Sequence, residues 1–228
     1  MADSGDEAGE HPIQSRVRAI EFDGDTETVK RLSEEGQRTV DHQLDALHDI
    51  DAKAVSILKL NLVIVSAILA IGSFVTEANV VTIADLNNVY NAIGIVSLVL
   101  SAALAASTYT ASDSEVGMGD DAIRSVIEAD LTKEGFEIAT AQSYAAWIEF
   151  NDRTSVLNTS LITLTTLLVV VAIVHLALGV YDAFVGTHTE LVVGLAWIFL
   201  LTIAGGVGLP RQLSRAVNEL SWEDLKSW

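Results

Sequence analysis

The chain has 228 residues, half of them hydrophobic, with 31 acidic against 13 basic residues and a net charge of −18. This excess of negative charge argues against binding to nucleic acid or to anionic lipid surfaces, because both require a basic face. The absence of cysteine excludes disulfides and thiolate metal sites.

The acidic residues are spread through 3–51, 113–152 and 219–224, and only five of the basic residues are Lys. Molar salt screens surface charge strongly, so such a surface is typical of a halophilic archaeon. The alternative is a single acidic tail on an ordinary protein. The wide distribution of the acids favours the halophile.

Four apolar stretches at 55–75, 89–108, 156–180 and 191–209 each approach the roughly 20 residues that cross a bilayer core. No Lys or Arg lies in the connection between the first two stretches or between the last two. Because cationic flanks stay in the cytoplasm, this asymmetry predicts a multi-pass plasma-membrane protein with both termini inside.

The predicted fold is an all-α integral membrane protein with four transmembrane helices, and amphipathic cytoplasmic helices run into spans 1 and 3. The predicted segments, in chain order, are a disordered acidic arm (1–25), a cytoplasmic helix (26–54), a transmembrane hairpin (55–108), a cytoplasmic helical connection (109–155), a second hairpin (156–209) and a C-terminal amphipathic helix (210–228).

Apolar residues of the first cytoplasmic helix recur at alternating spacings of three and four. This pattern is typical of a coiled coil, or of an amphipathic helix that packs on other cytoplasmic helices of its own chain. The sequence leaves both alternatives open. The residues of this stripe are Val40, Leu44, Leu47, Ile50, Ala54 and Ile57.

In the cytoplasmic connection, Asp120 and Asp121 predict the start of a short helix, which Gly135 is expected to end. A second helix is then expected to begin near Phe136 and to continue into the third span.

Two five-residue motifs lie 100 residues apart, Asp49-Ile-Asp-Ala-Lys53 and Glu149-Phe-Asn-Asp-Arg153, and four of their five residue classes match. They predict a parallel 2+2 repeat of a two-span unit. Within each motif the acid precedes the base by four residues, an orientation worth about 0.2–0.5 kcal/mol on a helix. We interpret both pairs as interface anchors; the alternative is that they line a vestibule.

A few polar residues fall inside the predicted spans, where ionisable groups are functional candidates. Lys59 either snorkels to the interface or serves an ion pathway, and His175 either bonds a neighbouring helix or acts as a proton-sensitive gate. The polar candidates are Lys59, Asn61, Thr159, Thr163, Thr166 and His175.

Small residues at a spacing of four predict close helix packing within the bilayer. Ser97, Ser101 and Ala105 have this spacing in the second span, and Ala204 and Gly208 have it in the fourth. Thr159, Thr163 and Thr166 fall on one face of the third span, where they either pack against a neighbouring helix or form a hydrated lining.

Two stretches resemble known families. Asp51-Ala-Lys53-Ala-Val-Ser-Ile-Leu58 resembles the opening of the first span in the Pycsar-type and SLATT-type transmembrane effectors of antiphage systems. Tyr144-Ala-Ala-Trp147-Ile-Glu-Phe-Asn151, which leads into an apolar span, is similar to a pattern in haloarchaeal multi-span membrane proteins. The first resemblance implies membrane-disrupting helices under a cytoplasmic signal. Such effectors typically have two spans, so four spans would be a fused duplicate.

No pattern of a catalytic triad or of paired intramembrane carboxylates is present, and His42, Asp45 and His48 spread over roughly 120° of a helix instead of converging. We therefore predict a protein with no catalytic, cofactor or metal site. The predicted function is a non-enzymatic sensor, effector or interaction protein. The alternatives are a small ion channel or transporter, and a scaffold subunit. The expected partners are the lipid bilayer and a second copy or another membrane subunit, with no nucleic acid.

Overall fold

The computed structural model describes residues 25–77, 82–110, 120–129, 131–186 and 189–219. These residues are helical with short connections, and no strand occurs among them, which confirms the predicted all-α class. Most of the predicted acidic arm, residues 1–24, and the end of the C-terminal segment, residues 220–228, lie outside the described residues.

Two helices of nearly equal length dominate the described chain, α1 with 52 residues and α5 with 53. Each is uninterrupted, so the predicted cytoplasmic helices do run without a break into the first and third apolar stretches. At 1.5 Å per residue each is close to 80 Å long. The helices are α1 (Thr26–Glu77), α2 (Ile83–Leu86), α3 (Val89–Thr110), α4 (Asp120–Glu128), α5 (Lys133–Val185), α6 (Glu190–Gly206) and α7 (Leu209–Glu219).

Side-chain caps fix where the two long helices begin. The backbone N–H and hydroxyl of Thr28 donate to Asp25 Oδ1 at 2.8 and 2.6 Å. These bonds favour the ionised carboxylate and lower the pKa of Asp25. At α5, the backbone N–H of Gly135 donates to Thr132 Oγ1 at 3.1 Å. The prediction that Gly135 ends a helix is therefore wrong: Gly135 lies in the first turn of α5.

Three described helices, α1, α3 and α5, are long and apolar enough to cross a membrane. These long apolar helices indicate membrane association. Among the described residues, α6 and α7, which are bent by 54°, provide a fourth candidate span if they are counted as one. The predicted fourth stretch, 191–209, overruns α6, because the helix ends at Gly206 and Gly208 adopts a left-handed φ of +68°. Gly208 does not make the close helix contact that its spacing from Ala204 predicts, because a Cβ at Gly208 would have no atom within 4 Å. Its role is to end the helix.

The chain divides into two compact units. Unit 1 comprises Met1–Asp45 and Ser114–Asp152, and unit 2 comprises Ala46–Asp113 and Arg153–Trp228. The N-terminal part of α1 and of α5 thus belongs to unit 1, and the remainder of each helix belongs to unit 2.

Within unit 1, α1 and α5 run side by side in the same direction. Ser33 Oγ donates to Glu137 O at 3.5 Å, and Gln43 Nε2 donates to Ile148 O at 3.1 Å. Gly36 lies so close to Tyr144 that a Cβ on the glycine would be 2.8 Å from the Tyr144 Cβ. In unit 1, α1 therefore packs on a helix of its own chain. Both interpretations of the stripe, a coiled coil and an amphipathic helix, stay predictions.

One set of buried residues on each of α1 and α5 follows a seven-residue repeat, which we call the heptad seam. A repeat of seven keeps one face of a helix against its neighbour over a long distance. On α1 the buried seam residues are Ser33, Val40, Leu47, Ala54, Asn61 and Val75, with Ile68 half-buried between the last two. On α5 they are Asn151, Asn158, Thr165, Ala172 and Gly179.

Candidate functional site

Inside unit 2, three polar residues of the three longest apolar helices meet in what we call the polar layer: Asn61 of α1, Ser101 of α3 and Thr165 of α5. Asn61 Nδ2 donates to Ser101 Oγ at 3.0 Å, and Ser101 Oγ donates to the backbone carbonyl of Thr165 at 3.2 Å. All three residues are at least 96% buried. The layer therefore joins three candidate spans through hydrogen bonds in an apolar environment.

The polar layer is incompletely satisfied. Asn61 Oδ1 is buried and has no hydrogen-bond partner in the part of the chain that the structure describes. Leaving a buried acceptor unpaired costs about 1–3 kcal/mol. The hydrogen bonds of the polar layer therefore leave Asn61 Oδ1 unpaired. A rotation of α1 that gave this oxygen a donor would recover part of the free energy lost by burying it.

Helix α3 packs tightly against α5 and runs antiparallel to it. A Cβ on Gly94 would lie 2.6 Å from Leu176 Cγ, and a Cβ on Gly179 would collide with the Asn91 side chain. At the same end, Asn88 Nδ2 donates to the Gly179 carbonyl at 2.8 Å. The small residues predicted to pack in the second span do so, since Ser97, Ser101 and Ala105 are all buried.

The four predicted interface anchors lie on exposed parts of α1 and α5. Asp49, Lys53, Glu149 and Arg153 all have exposed side chains, as expected for residues at a boundary with solvent or headgroups. Their pairing and their role as anchors stay predictions.

Matching positions of the two five-residue motifs, which lie 100 residues apart, are not buried to the same extent. Ile50 is 7% exposed, whereas its counterpart Phe150 is 39% exposed. The heptad seams instead align at a spacing of 104, the separation of Ser33 from Glu137 and of Asn61 from Thr165. The 2+2 repeat therefore stays a prediction from sequence. The spacing of 104 residues between the two seams exceeds the spacing of 100 residues between the two motifs by about one helical turn.

Of the other intramembrane candidates, Thr163 and Thr166 line a common cavity of about 230 Å³, and Lys59, Thr159 and His175 do not line it. Lys59, Thr159 and Thr166 are exposed, and Thr163 is half-buried. The hydroxyls of Thr163 and Thr166 donate to carbonyls of their own helix at 2.9 and 2.8 Å. Of the six candidates only Asn61 joins the polar layer.

His175 is 3% exposed and lies between α5 and α6. Its Nδ1 is 2.8 Å from the carbonyl of Val171, one turn earlier on α5. Its ring meets Trp197 of α6 edge to face, with centroids 5.6 Å apart and planes at 78°. The hydrogen bond of Nδ1 thus stays within α5, and His175 meets the neighbouring α6 through a ring contact. A hydrogen bond from His175 to a neighbouring helix stays a prediction.

Outside the candidate spans, the connection between α1 and α3 contains one well-defined polar motif. Asp85 Oδ2 accepts from the hydroxyl and backbone N–H of Thr82 at 2.7 and 2.9 Å, and the Asp85 N–H donates to Thr82 Oγ1. This reciprocal capping box holds the short α2. The hydrogen bonds from Thr82 lower the pKa of the Asp85 carboxyl below its ordinary value of 3.8.

Sequence reasoning missed Thr165, Asn158 and Asn151 as buried groups of α5. The sequence does contain a pattern that marks them, because these three residues lie seven apart and the same spacing leads on to Ala172 and Gly179. A repeat of small and polar residues at core positions specifies helix register, and it is masked by a search for apolar periodicity.

Among the described residues, no group of three or more His, Asp or Glu side chains comes together in a way that could hold a metal ion. Comparison of the chain with protein-family models, with curated proteins and with solved structures finds no match. The functional assignment therefore rests on the geometry of this chain.

Proposed function

We propose that this chain is a non-enzymatic membrane protein of sensor or effector type. The parts of α1 and α5 in unit 1 face the cytoplasm and receive a signal or a partner, and the packing of the spans in unit 2 responds. The one-sided distribution of Lys and Arg supports this orientation, with both termini inside the plasma membrane.

The observation that carries the proposal is the continuity of α1 and α5, each of which runs as one helix from unit 1 into unit 2. Because neither helix is interrupted by a loop, we expect a displacement of either helix in unit 1 to move its continuation in unit 2. Small shifts and rotations of packed helices are a common way of switching between two arrangements.

The polar layer supplies an element that such a shift would switch. Asn61 Oδ1 has no hydrogen-bond partner among the described residues, so an arrangement that gave it a donor would recover part of the free energy lost by burying it. A buried polar group also restricts the register to a few discrete positions, because intermediate positions leave more groups unpaired.

Exposed apolar surface supports a further partner in the bilayer. In the most apolar 18-residue segment of α1, only 11% is buried within the chain, whereas 28% is buried in the corresponding segments of α3 and of α5. The remaining surface of α1 contacts lipid or, in an oligomer, a second copy.

A substitution at the contact between α1 and α5 in unit 1 tests the proposal. Gly36→Leu places atoms where a Cβ is already 2.8 Å from Tyr144, so the two helices must separate there. Since the chain has no cysteine, spin labels at Leu62→Cys and Ile173→Cys, both on exposed positions, report the distance between α1 and α5 in unit 2. We expect that distance distribution to change in Gly36→Leu.

The matched control is Gln37→Leu, an exposed position in the same turn of α1, which should leave the distribution unchanged. Leakage of ions from liposomes in Gly36→Leu, and not in Gln37→Leu, would assign the effector function over a pure interaction function. An unchanged distance in Gly36→Leu would contradict the proposed coupling.

A further inference from the structure

An open groove of about 650 Å³ lies between the C-terminal halves of α1 and α5 in unit 2. We call it the α1–α5 groove. It occupies the line of the heptad seam just beyond the polar layer, where Ile64, Ile68 and Ile71 of α1 face it. Leu176 of α5 lies on its opposite wall.

The seam continues in the sequence through this region but is not packed there. Asn61 and Val75 are both buried, at 4% and 3% exposed, whereas Ile68, the seam residue between them, is only half-buried and lines the groove. Helix interfaces normally reach the density of an organic crystal, so apolar side chains at seam positions are expected to have neighbours on every side. In the groove those neighbours are missing from the chain itself.

The chemistry of the lining identifies the class of occupant. Of the thirteen residues that line the groove, Asn91 alone has a polar side chain. Its Nδ2 donates to the Leu86 carbonyl at 2.8 Å. Water is a poor occupant, because even an engineered apolar cavity of about 150 Å³ stays dry. A polar ligand would find too few hydrogen-bond partners, so the lining fits hydrocarbon.

The dimensions separate hydrocarbon from a second protein. The wall on α1 runs from Val63 to Gly72, or about 14 Å along the helix axis. That length is close to one leaflet of a hydrocarbon core of about 30 Å. A stable protein interface uses roughly 20–30 residues on each side, more than the thirteen available here.

We propose that the α1–α5 groove binds one acyl chain of a membrane lipid, from the leaflet that surrounds the C-terminal end of α1. The chain fills the unpacked part of the heptad seam and so takes the place of direct contacts between α1 and α5. This site depends on insertion of the spans in a bilayer and does not depend on the sensor or effector function.

Photo-crosslinking tests the site. The full chain is reconstituted in phosphatidylcholine vesicles doped with a phosphatidylcholine that carries a diazirine midway along one acyl chain, and adducts are mapped by mass spectrometry. We expect adducts at Ala67 and Ala177, on the two walls of the groove, in excess over those at Leu195 and Ile198, which are exposed on α6 and line none of the described pockets.

Filling the groove should remove this excess. A Cβ on Gly72 has no atom within 4 Å, so Gly72→Phe can enter the groove without a clash. Ala177→Leu fills it from the other wall, with Ala67 as the reporter, should Gly72→Phe fail to fold. Gly194→Phe is the matched control, because Gly194 on α6 is equally open and lies outside the groove.

We expect Gly72→Phe to lose most adducts at Ala67 and Ala177, while Gly194→Phe retains them. Equal labelling of the groove and of α6, or labelling that neither filling variant reduces, would show only bulk lipid and overturn the site. Adducts or disulfides that join two copies at position 67, the latter in Ala67→Cys, would assign the groove to a second copy instead.

Discussion

At the scale of single residues, the polar layer shows which polar groups inside an apolar helix bundle the sequence can identify. Asn61 was identified because an amide inside a span stands out, and Ser101 was assigned to packing through its small size. Thr165 was missed because a Thr that bonds its own helix looks the same in sequence whether it is exposed or buried. The hydroxyl of Thr165 donates to Leu161 O, as the hydroxyl of exposed Thr166 does to Ile162 O.

Removing the central hydroxyl of the polar layer should destabilise the bundle. Ser101→Ala leaves the buried amide of Asn61 without its partner, and we expect a loss of about 1 kcal/mol in the free energy of unfolding. Asn61→Leu together with Ser101→Ala removes both polar groups, so the double variant should recover part of that loss. Denaturant unfolding in detergent measures wild type, the single variants Asn61→Leu and Ser101→Ala, and the double variant.

The control for this cycle is Ser66→Ala, an exposed serine on α1 whose hydroxyl bonds only the Leu62 carbonyl among the described groups. It should cost much less than Ser101→Ala. Strictly additive losses at positions 61 and 101 would show that the hydrogen bond contributes nothing, since coupled membrane pairs average about 0.6 kcal/mol.

The capping box of α2 predicts a pH dependence. Hydrogen bonds from Thr82 lower the pKa of Asp85 in the folded chain, so its stabilising effect is full above the unfolded pKa of about 3.9. That effect is lost as the pH falls through the lower folded pKa. NMR titration of the Asp85 carboxyl carbon should show the lowered pKa, and Thr82→Val should raise it toward 3.8.

Thr39→Val is a suitable control, because the Thr39 hydroxyl bonds Glu35 O on α1 and is remote in sequence from Asp85. It should leave the titration of Asp85 unchanged. The same titration curve in wild type and in Thr82→Val would refute the assigned cause.

At the scale of helices, the long apolar runs of the sequence predict that the helices exist, and they predict less accurately the residues at which the helices begin and end. The starts of α3 at Val89 and of α4 at Asp120 agree with the sequence. The start of α5 was placed three residues late, because the cap at Thr132 competes with the helix-ending preference of Gly135. The end of α6 was placed late, since hydropathy does not register the left-handed conformation at Gly208.

Close packing of α3 on α5 can be tested with two glycines that differ only in their surroundings. Gly94→Ala puts a methyl group 2.6 Å from Leu176 Cγ, whereas Gly194→Ala puts one in open space. We expect Gly94→Ala to lower the free energy of unfolding by about 1–3 kcal/mol, as overpacking does. Gly194→Ala should cause no loss, since Ala favours a helix more than Gly does. Equal stability of the two variants would mean that α3 and α5 do not approach so closely.

At the scale of the whole molecule, two long parallel helices with a shared seven-residue seam define the protein. The sequence predicted that the two cytoplasmic helices continue into spans, because apolar periodicity and hydropathy overlap there without a Pro or Gly break. It did not predict the lateral register, which depends on which small and polar residues meet. Asn61 and Ser101 are 40 residues apart in sequence, and no local pattern relates them.

The central claim is that α1 and α5 both enter the membrane from the cytoplasm. The most direct measurement is labelling of single cysteines, introduced into this Cys-free chain, with a membrane-impermeant maleimide in intact and in permeabilised cells. We expect labelling of Asn87→Cys and Glu190→Cys in intact cells, and of Asp45→Cys and Glu128→Cys only after permeabilisation; all four positions are exposed. Labelling of Asp45→Cys in intact cells, or of positions 87 and 190 from opposite sides, would contradict it.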